Sequence, residues 1–202
     1  QKTRTIGIIA EDIAQFSTPG MIESIMAFCE EKGYRTIVQN LRLYARWQES
    51  WFNNEEAYRS VLEPALQELR SIKVDGLIYV SGMESISPIL KNHKVPVVFI
   101  DRSPKDAEVI VQSDNFQGGY LAAKELLKAG CRKPLLLRDY RMASTIQQRR
   151  RGFMEALKEN GMECQRDYEV AVMPDYMSAK EKISEILTEK GCCFDGIFTT
   201  ND

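Results

Sequence analysis

Histidine is almost missing from these 202 residues. His93 stands alone, in the polar stretch Lys91-Asn92-His93-Lys94 that reads as surface. A single histidine removes His-rich metal sites and the Ser-His-Asp type of hydrolytic triad. The five cysteines (Cys29, Cys131, Cys164, Cys192 and Cys193) are odd in number and contain no C-x-x-C pair. Neither a disulfide framework nor a zinc site is signalled, and a reducing compartment suits them best. No run approaches the ~20 apolar residues of a membrane helix, and no signal peptide with a long apolar core opens the sequence. Charge of one sign is also lacking: 27 Lys+Arg against 29 Asp+Glu leave a net −2. A segment that neutralised many phosphates would be more basic, so these residues are not expected to grip nucleic acid themselves. Glycine (12) and proline (7) are too few for a disordered chain. The first strand-to-helix turn, Ala10-Glu11-Asp12-Ile13-Ala14-Gln15-Phe16, contains no G-x-G-x-x-G and no Walker lysine, and Gly118-Gly119 falls at a helix start. A dinucleotide or P-loop enzyme is therefore disfavoured, and no cofactor or metal is called for.

What is present is a steady alternation of short apolar runs with longer amphipathic ones. Thr5–Ala10 reads as a buried strand. Thr18 as N-cap with Pro19 behind it opens a helix that stops at Gly33. Its inward face carries Ile22, Ile25, Met26 and Cys29. Arg35–Gln39 is a second strand. Glu55–Ile72 is a long helix with Leu62, Leu66 and Leu69 inward. Asp75–Val80 is a third strand, Ile86–Lys91 a short helix and Val95–Ile100 a fourth strand. Val109–Val111 is a further strand. Asp114 caps a helix reaching Ala129, Pro134–Leu137 is a strand, and the box Thr145…Gln148 opens a helix to Asn160. Tyr168–Val172, a helix opened by Ser178…Glu181, and the strand Gly196–Thr199 complete the pattern. Such alternation with near-continuous apolar strands predicts an α/β fold of parallel sheets covered on both faces, divided near Gln112–Asp114. Leu43–Asn54, which holds both tryptophans, reads as an insertion between strand and helix. The last strand has no crossover helix after it, so the fold is expected to continue past Asp202 and this span to be marginally stable by itself.

Ligands of open parallel sheets bind outside the carboxyl ends of the strands. The residues there are Glu11 and Asp12, Ser81-Gly82, Asp101-Arg102, Arg138-Asp139, Pro174-Asp175-Tyr176 and Asn201-Asp202. Asp, Arg and Asn bind hydroxyls through paired hydrogen bonds, and Phe16 and Tyr176 offer flat apolar faces. Arg149 stands out from the Arg149-Arg150-Arg151 run, because a cation is unfavourable in the first turn of a helix unless a partner compensates it. Arg150 and Arg151 read as a solvated face.

Six motifs in order resemble the effector-binding domain of lactose-repressor-type (LacI/GalR) regulators. They are Arg4-Thr5-Ile6-Gly7-Ile8-Ile9, Val74-Asp75-Gly76-Leu77-Ile78, Val95-Pro96-Val97-Val98-Phe99-Ile100-Asp101-Arg102, Ser113-Asp114-Asn115-Phe116-Gln117-Gly118-Gly119, Arg149-Arg150-Arg151-Gly152-Phe153 and Asp195-Gly196-Ile197-Phe198…Asn201-Asp202. The resemblance implies a periplasmic-binding-protein-like I fold: two parallel-sheet α/β subdomains, 1–112 and 113–202, flanking a cleft, the C-terminal one incomplete. It implies a small effector, commonly a sugar, whose binding closes the cleft and modulates operator DNA binding. It implies a cytoplasmic homodimer, a helix-turn-helix upstream of Gln1, no enzymatic activity and no membrane contact. Carried over by position, Asp12 is a polar effector contact, Phe16 an apolar wall, Asp101 a hydroxyl acceptor, Arg149 the arginine reaching the ligand, Tyr176 a stacking aromatic and Asn201 a polar contact. Two places depart from the family's pattern: Ser17-Thr18, where many relatives have aromatics, and Arg138-Asp139-Tyr140, where small residues are usual. A periplasmic or extracellular sugar-binding protein of the same fold is the alternative.

Overall fold

The computed structural model describes residues 3–15, 17–47, 54–80, 94–102, 107–141, 143–162, 169–191 and 193–201, without the side chain of residue 190. Phe16, His93, Trp51, Ser81-Gly82 and the short helix expected at Ile86–Lys91 lie outside these residues. The chain forms two compact units, Gln1–Gln112 and Ser113–Asp202.

The first unit is built on five parallel strands: β1 (Thr5–Ala10), β2 (Arg35–Asn40), β3 (Gly76–Val80), β4 (Val97–Ile100) and β5 (Ile110–Val111), in the order β2-β1-β3-β4-β5. The register sets Ala10 beside both Asn40 and Val80, Val80 beside Ile100 and Ile100 beside Val111, so the strands end level. Alternation along β1 feeds two cores. Ile8 and Ala10 pack with Ile22 of helix α1 (Thr18–Glu31), while Ile9 packs with Leu62, Leu66 and Leu69 of α3 (Glu55–Ile72). Pro64 removes one donor from the middle of α3. It lies on the exposed side, and the packing of Leu62, Ala65, Leu66 and Leu69 carries the helix past it.

Several expected details change. Helix α1 begins at Thr18 itself, with Ser17 at the N-cap and no side-chain cap bond, and Met26 faces outward. Leu43–Asn54 is only partly an insertion. A one-turn helix, α2 (Leu43–Trp47), buries Leu43 in the α3-side core, with Tyr44 and Trp47 packed against it. The cap of α3 is Asn54, whose side chain accepts from the Ala57 amide.

The second unit has three parallel strands in the order β7-β6-β8: β6 (Pro134–Asp139), β7 (Glu169–Val172) and β8 (Gly196–Thr199). Helices α4 (Asn115–Lys128) and α5 (Ser144–Glu159) share one core, Ala123, Leu136, Phe153, Ala156 and Leu157. Leu135, Leu137 and Val170 pack with Ile186 of α6 (Tyr176–Lys190) on another. Asp114 caps α4 as expected, accepting from the Gln117 amide. The other two caps do not form as the sequence suggests. Helix α5 starts at Ser144 behind Ala143, which makes no side-chain cap bond, while Thr145 is buried inside the first turn. Helix α6 starts at Tyr176, because Asp175 takes the N-cap and accepts from both the amide and the hydroxyl of Ser178.

The helices α4 and α5 touch backbone to backbone. A Cβ placed on Gly119 would lie 1.9 Å from the carbonyl oxygen of Arg149, and one on Gly152 would lie 1.9 Å from that of Phe116. Only hydrogen fits at either point. This contact fixes where Arg149 stands relative to the first turn of α4.

Candidate functional site

In the first unit the level strand ends gather acids. Glu11, after β1, is buried and pairs with Arg102, after β4, at 2.9 Å. Beneath them the hydroxyls of Tyr79 and Tyr58 bond to each other in the core. Burial pushes the Tyr79 hydroxyl well above its ordinary pKa, and the Glu11 charge adds to that while Arg102 opposes it.

Asp12 is only 3% exposed. One carboxylate oxygen accepts from the Ala14 amide at 3.0 Å and the other from the Ala45 amide of α2 at 3.1 Å. Asn40 works beside it, accepting from the amides of Ile13 and Arg42. Together they tie the loop after β1 to the loop after β2. A ligand contact at Asp12 has to use the lone pairs that these amides leave. Asp101 is placed differently. Its φ of +72° lies in the left-handed region, an uncommon conformation for a residue with a side chain, although Asp tolerates it better than most. Its amide donates to Val111, and its side chain is 37% exposed, 3.9 Å from Arg102. Backbone strain of this kind persists where the surrounding structure enforces it, often at ligand sites.

In the second unit the strand ends gather arginines around a polar chain. Arg149, in the second turn of α5, donates from Nε to Asn115 Oδ1 at 2.9 Å and from Nη1 to the Thr200 carbonyl and to Asn201 Oδ1. Asn201 in turn donates to Asp139 at 3.3 Å. Asp139 is 5% exposed and is held by Arg141, whose Nε and Nη2 reach its carboxylate at 3.0 and 2.7 Å. The hydroxyl of Thr200 accepts from the Asp139 amide, which pins the end of β8 to the end of β6.

Of the residues proposed from sequence, Arg149 and Asn201 are thus brought together. Tyr176 is 75% exposed at the first position of α6, with Lys180 Nζ 5.9 Å from its ring centroid. Sequence reasoning gave Asn115, Arg141 and Thr200 no individual role. The signal for Asn115 was present in its place directly after a capping aspartate. Arg141 carried none, because its pairing with Asp139 depends on how the loop after β6 turns back.

Arg150 does not present a solvated face. It forms a two-point pair with Glu169 at 2.7 Å, and Arg138 reaches the same carboxylate at 2.7 Å. Arg151 is exposed. The hydrogen bonds from Arg150 foremost, then those from Arg138, hold the Glu169 carboxyl below its usual range against the opposing effect of burial. A carboxylate with a depressed folded pKa contributes stability that is full above the ordinary carboxylate pKa and is lost as pH falls through the folded one. Glu169→Gln is therefore expected to lower stability by about 1–2 kcal/mol at neutral pH. The difference from wild type should close in acid, as urea midpoints measured from pH 7 down to pH 3 would show. A gap that stays constant with pH would contradict this.

A family profile described as periplasmic binding proteins and the sugar-binding domain of the LacI family matches residues 53–202. The sucrose operon repressor of Streptococcus mutans is 31% identical over 137 residues, covering 68% of this chain and 38% of that protein. The transcriptional repressor PurR of Erwinia tasmaniensis is 27% identical over 193 residues, covering 93% of this chain and 52% of that protein. The chain spans about half the length of the curated relatives it matches. Among solved structures, a periplasmic binding protein/LacI transcriptional regulator from Alkaliphilus metalliredigens, complexed with D-xylulofuranose, superposes with a TM-score of 0.73 at 23% identity. That match covers 99% of this chain and 68% of the other. Among the described residues no helix is long and apolar enough to cross a membrane.

Proposed function

The chain belongs to the family of periplasmic binding proteins and LacI-type sugar-binding domains, and from that premise we propose that it is the effector-binding part of a transcriptional regulator. The observation that carries this reading is the Arg149 cluster. A half-buried guanidinium, locked by Asn115 and Asn201 at the carboxyl ends of β6 and β8, is a rigid donor for an oxygen-rich small molecule. The effector is a sugar or a molecule of similar oxygen content; the Alkaliphilus protein is complexed with such a molecule, D-xylulofuranose. Asp101 accepts from its hydroxyls, Asn201 makes a polar contact and Tyr176 offers the ring face that Lys180 leaves uncovered. Asp12 acts by holding the loop after β1 in place.

The whole protein, in this reading, is a cytoplasmic homodimer without catalytic activity. It binds operator DNA through a helix-turn-helix outside the present chain, since a twofold operator requires two reading heads. That the curated relatives are operon repressors and a transcriptional repressor favours this over a periplasmic binding protein. The test is operator binding by the full-length protein, followed by fluorescence anisotropy with and without effector. Salt-dependent binding that effector shifts about 5–150-fold is the expected result. A monomer with no salt-dependent DNA binding would refute it.

A further inference from the structure

After β4 the chain of the first unit makes a tight turn. The Arg102 amide donates to the Ile100 carbonyl at 3.0 Å, which encloses Asp101 at a φ of +72°. A bond that closes two residues on, around a centre of positive φ, belongs to the rare and strained form of the γ-turn. Glycine takes such a φ freely, yet the sequence keeps a carboxylate there. Strain of this kind persists only where surrounding contacts enforce it. On one side the Asp101 amide donates to the Val111 carbonyl at 2.9 Å. On the other, the Arg102 guanidinium donates to Glu11 at 2.9 Å, and Glu11 stands 91 residues earlier in the chain.

These two ties differ in strength. Strand β5 is two residues long and Val111 is 57% exposed, so the first is light. The second is firm. Glu11 is buried at the end of β1, and β3 separates β1 from β4, so the Glu11–Arg102 pair bridges the end of β3. A carboxylate so placed is costly to desolvate unless a cation meets it, which keeps the pair closed. The same guanidinium has a second acid beside it, since Asp101 Oδ2 lies 3.9 Å from Arg102 Nε and is far more open to solvent than Glu11. Glu11 competes with Asp101 for Arg102 and wins the hydrogen bond at Nη2.

We propose that Glu11 is a positioning residue for the effector. Through Arg102 it locks the turn after β4 in its strained form, and so leaves the Asp101 carboxylate outward to accept from a sugar hydroxyl. Glu11 itself touches no effector atom. The inference rests on the effector-binding reading above, in which Asp101 is the hydroxyl acceptor, and adds the group that sets where that acceptor stands.

The test is a double-mutant cycle, read by calorimetric titration of the full-length protein with D-ribose, D-xylulose, D-fructose and sucrose. Glu11→Gln keeps the shape and loses the charge, and Asp101→Asn does the same at the acceptor. Each alone is expected to weaken binding about tenfold or more. Together they should cost little more than Asp101→Asn alone, because Glu11 acts through Asp101. Glu11→Asp, which keeps the charge one methylene farther back, should lose less than Glu11→Gln. Arg102→Lys, which keeps a cation without the planar fork, supplies the same cycle if thermal midpoints show that Glu11→Gln does not fold. A merely structural Glu11 would lower the midpoint and leave the affinity of the folded protein unchanged, or would weaken binding by the same factor in the Asp101→Asn background. Either result, or full affinity in Asp101→Asn, would overturn the proposal and leave effector binding standing. Wild type that binds none of the four sugars would overturn both.

Discussion

Alanine at Gly119 or at Gly152 should destabilise the second unit by about 3 kcal/mol or more, a size reserved for mutations that the fold cannot absorb. The methyl group at Gly119 would sit 1.9 Å from Arg149's carbonyl oxygen and 2.7 Å from its carbonyl carbon, and at Gly152 it would sit 2.8 Å from the amide nitrogen of Tyr120. These neighbours are backbone atoms in helices, so no side-chain rotation relieves the overlap. The helices have to separate, which opens the core at Ala123, Phe153 and Ala156. Gly118 supplies the contrast. It stands next door in α4 with nothing within 4 Å of its Cβ position. Gly118→Ala should stabilise by about 0.5–1 kcal/mol through helix propensity alone. Urea midpoints of the three variants decide the point, and Gly119→Ala behaving like Gly118→Ala would show that the helices do not meet there.

The same contact links fold to function. Arg149 belongs to the turn of α5 that rests on Gly119, and its guanidinium reaches Asn115 at the start of α4. Any separation of the helices moves donor and acceptor apart. Gly119→Ala protein that still folds should therefore lose effector affinity through the displacement of Arg149.

Parts of this were legible in the sequence because they depend on neighbours along the chain. The buried β1, the inward leucines of α3 and the Asp114 cap follow from periodicity and local hydrogen bonding. The positive φ of Gly33 and Gly130 agrees with the helix stops expected there. Errors arose where two local choices competed. Asp175 and Ser178 are both good caps, and the aspartate wins because its carboxylate takes the Ser178 amide and hydroxyl together. At α5 the apparent box Thr145…Gln148 fails, since Thr145 is buried in the helix rather than standing before it.

The site was legible in residue type and much less so in partnership. An acid after β1 is visible, but its partner Ala45 lies 33 residues away in a segment that reads as an insertion. Helix position sets Arg149 apart from Arg150 in the sequence, but the partners of neither are visible there. Only the strand register, which sets Glu169 beside Leu136, and the helix packing reveal that Arg150 meets a carboxylate and that Arg149, among the described residues, meets neutral oxygens.

That difference defines the second large effect. A charge-assisted hydrogen bond contributes about 1.5–3 kcal/mol, so Arg149→Ala should weaken effector binding about 10–150-fold. Arg149→Lys should recover little of the affinity, because an ammonium cannot hold Asn115 and ligand oxygens with one planar fork. Arg150 cannot serve as the neutral reference, since its removal frees one side of Glu169. The exposed Arg151 can. Calorimetric titration of wild type, Arg149→Ala and Arg151→Ala with one ligand that raises the wild-type melting temperature is the most direct measurement. Wild-type affinity in Arg151→Ala beside a loss of at least about tenfold in a folded Arg149→Ala is the predicted result. Undiminished binding by Arg149→Ala, or equal damage from Arg151→Ala, would contradict the placement of Arg149 at the effector.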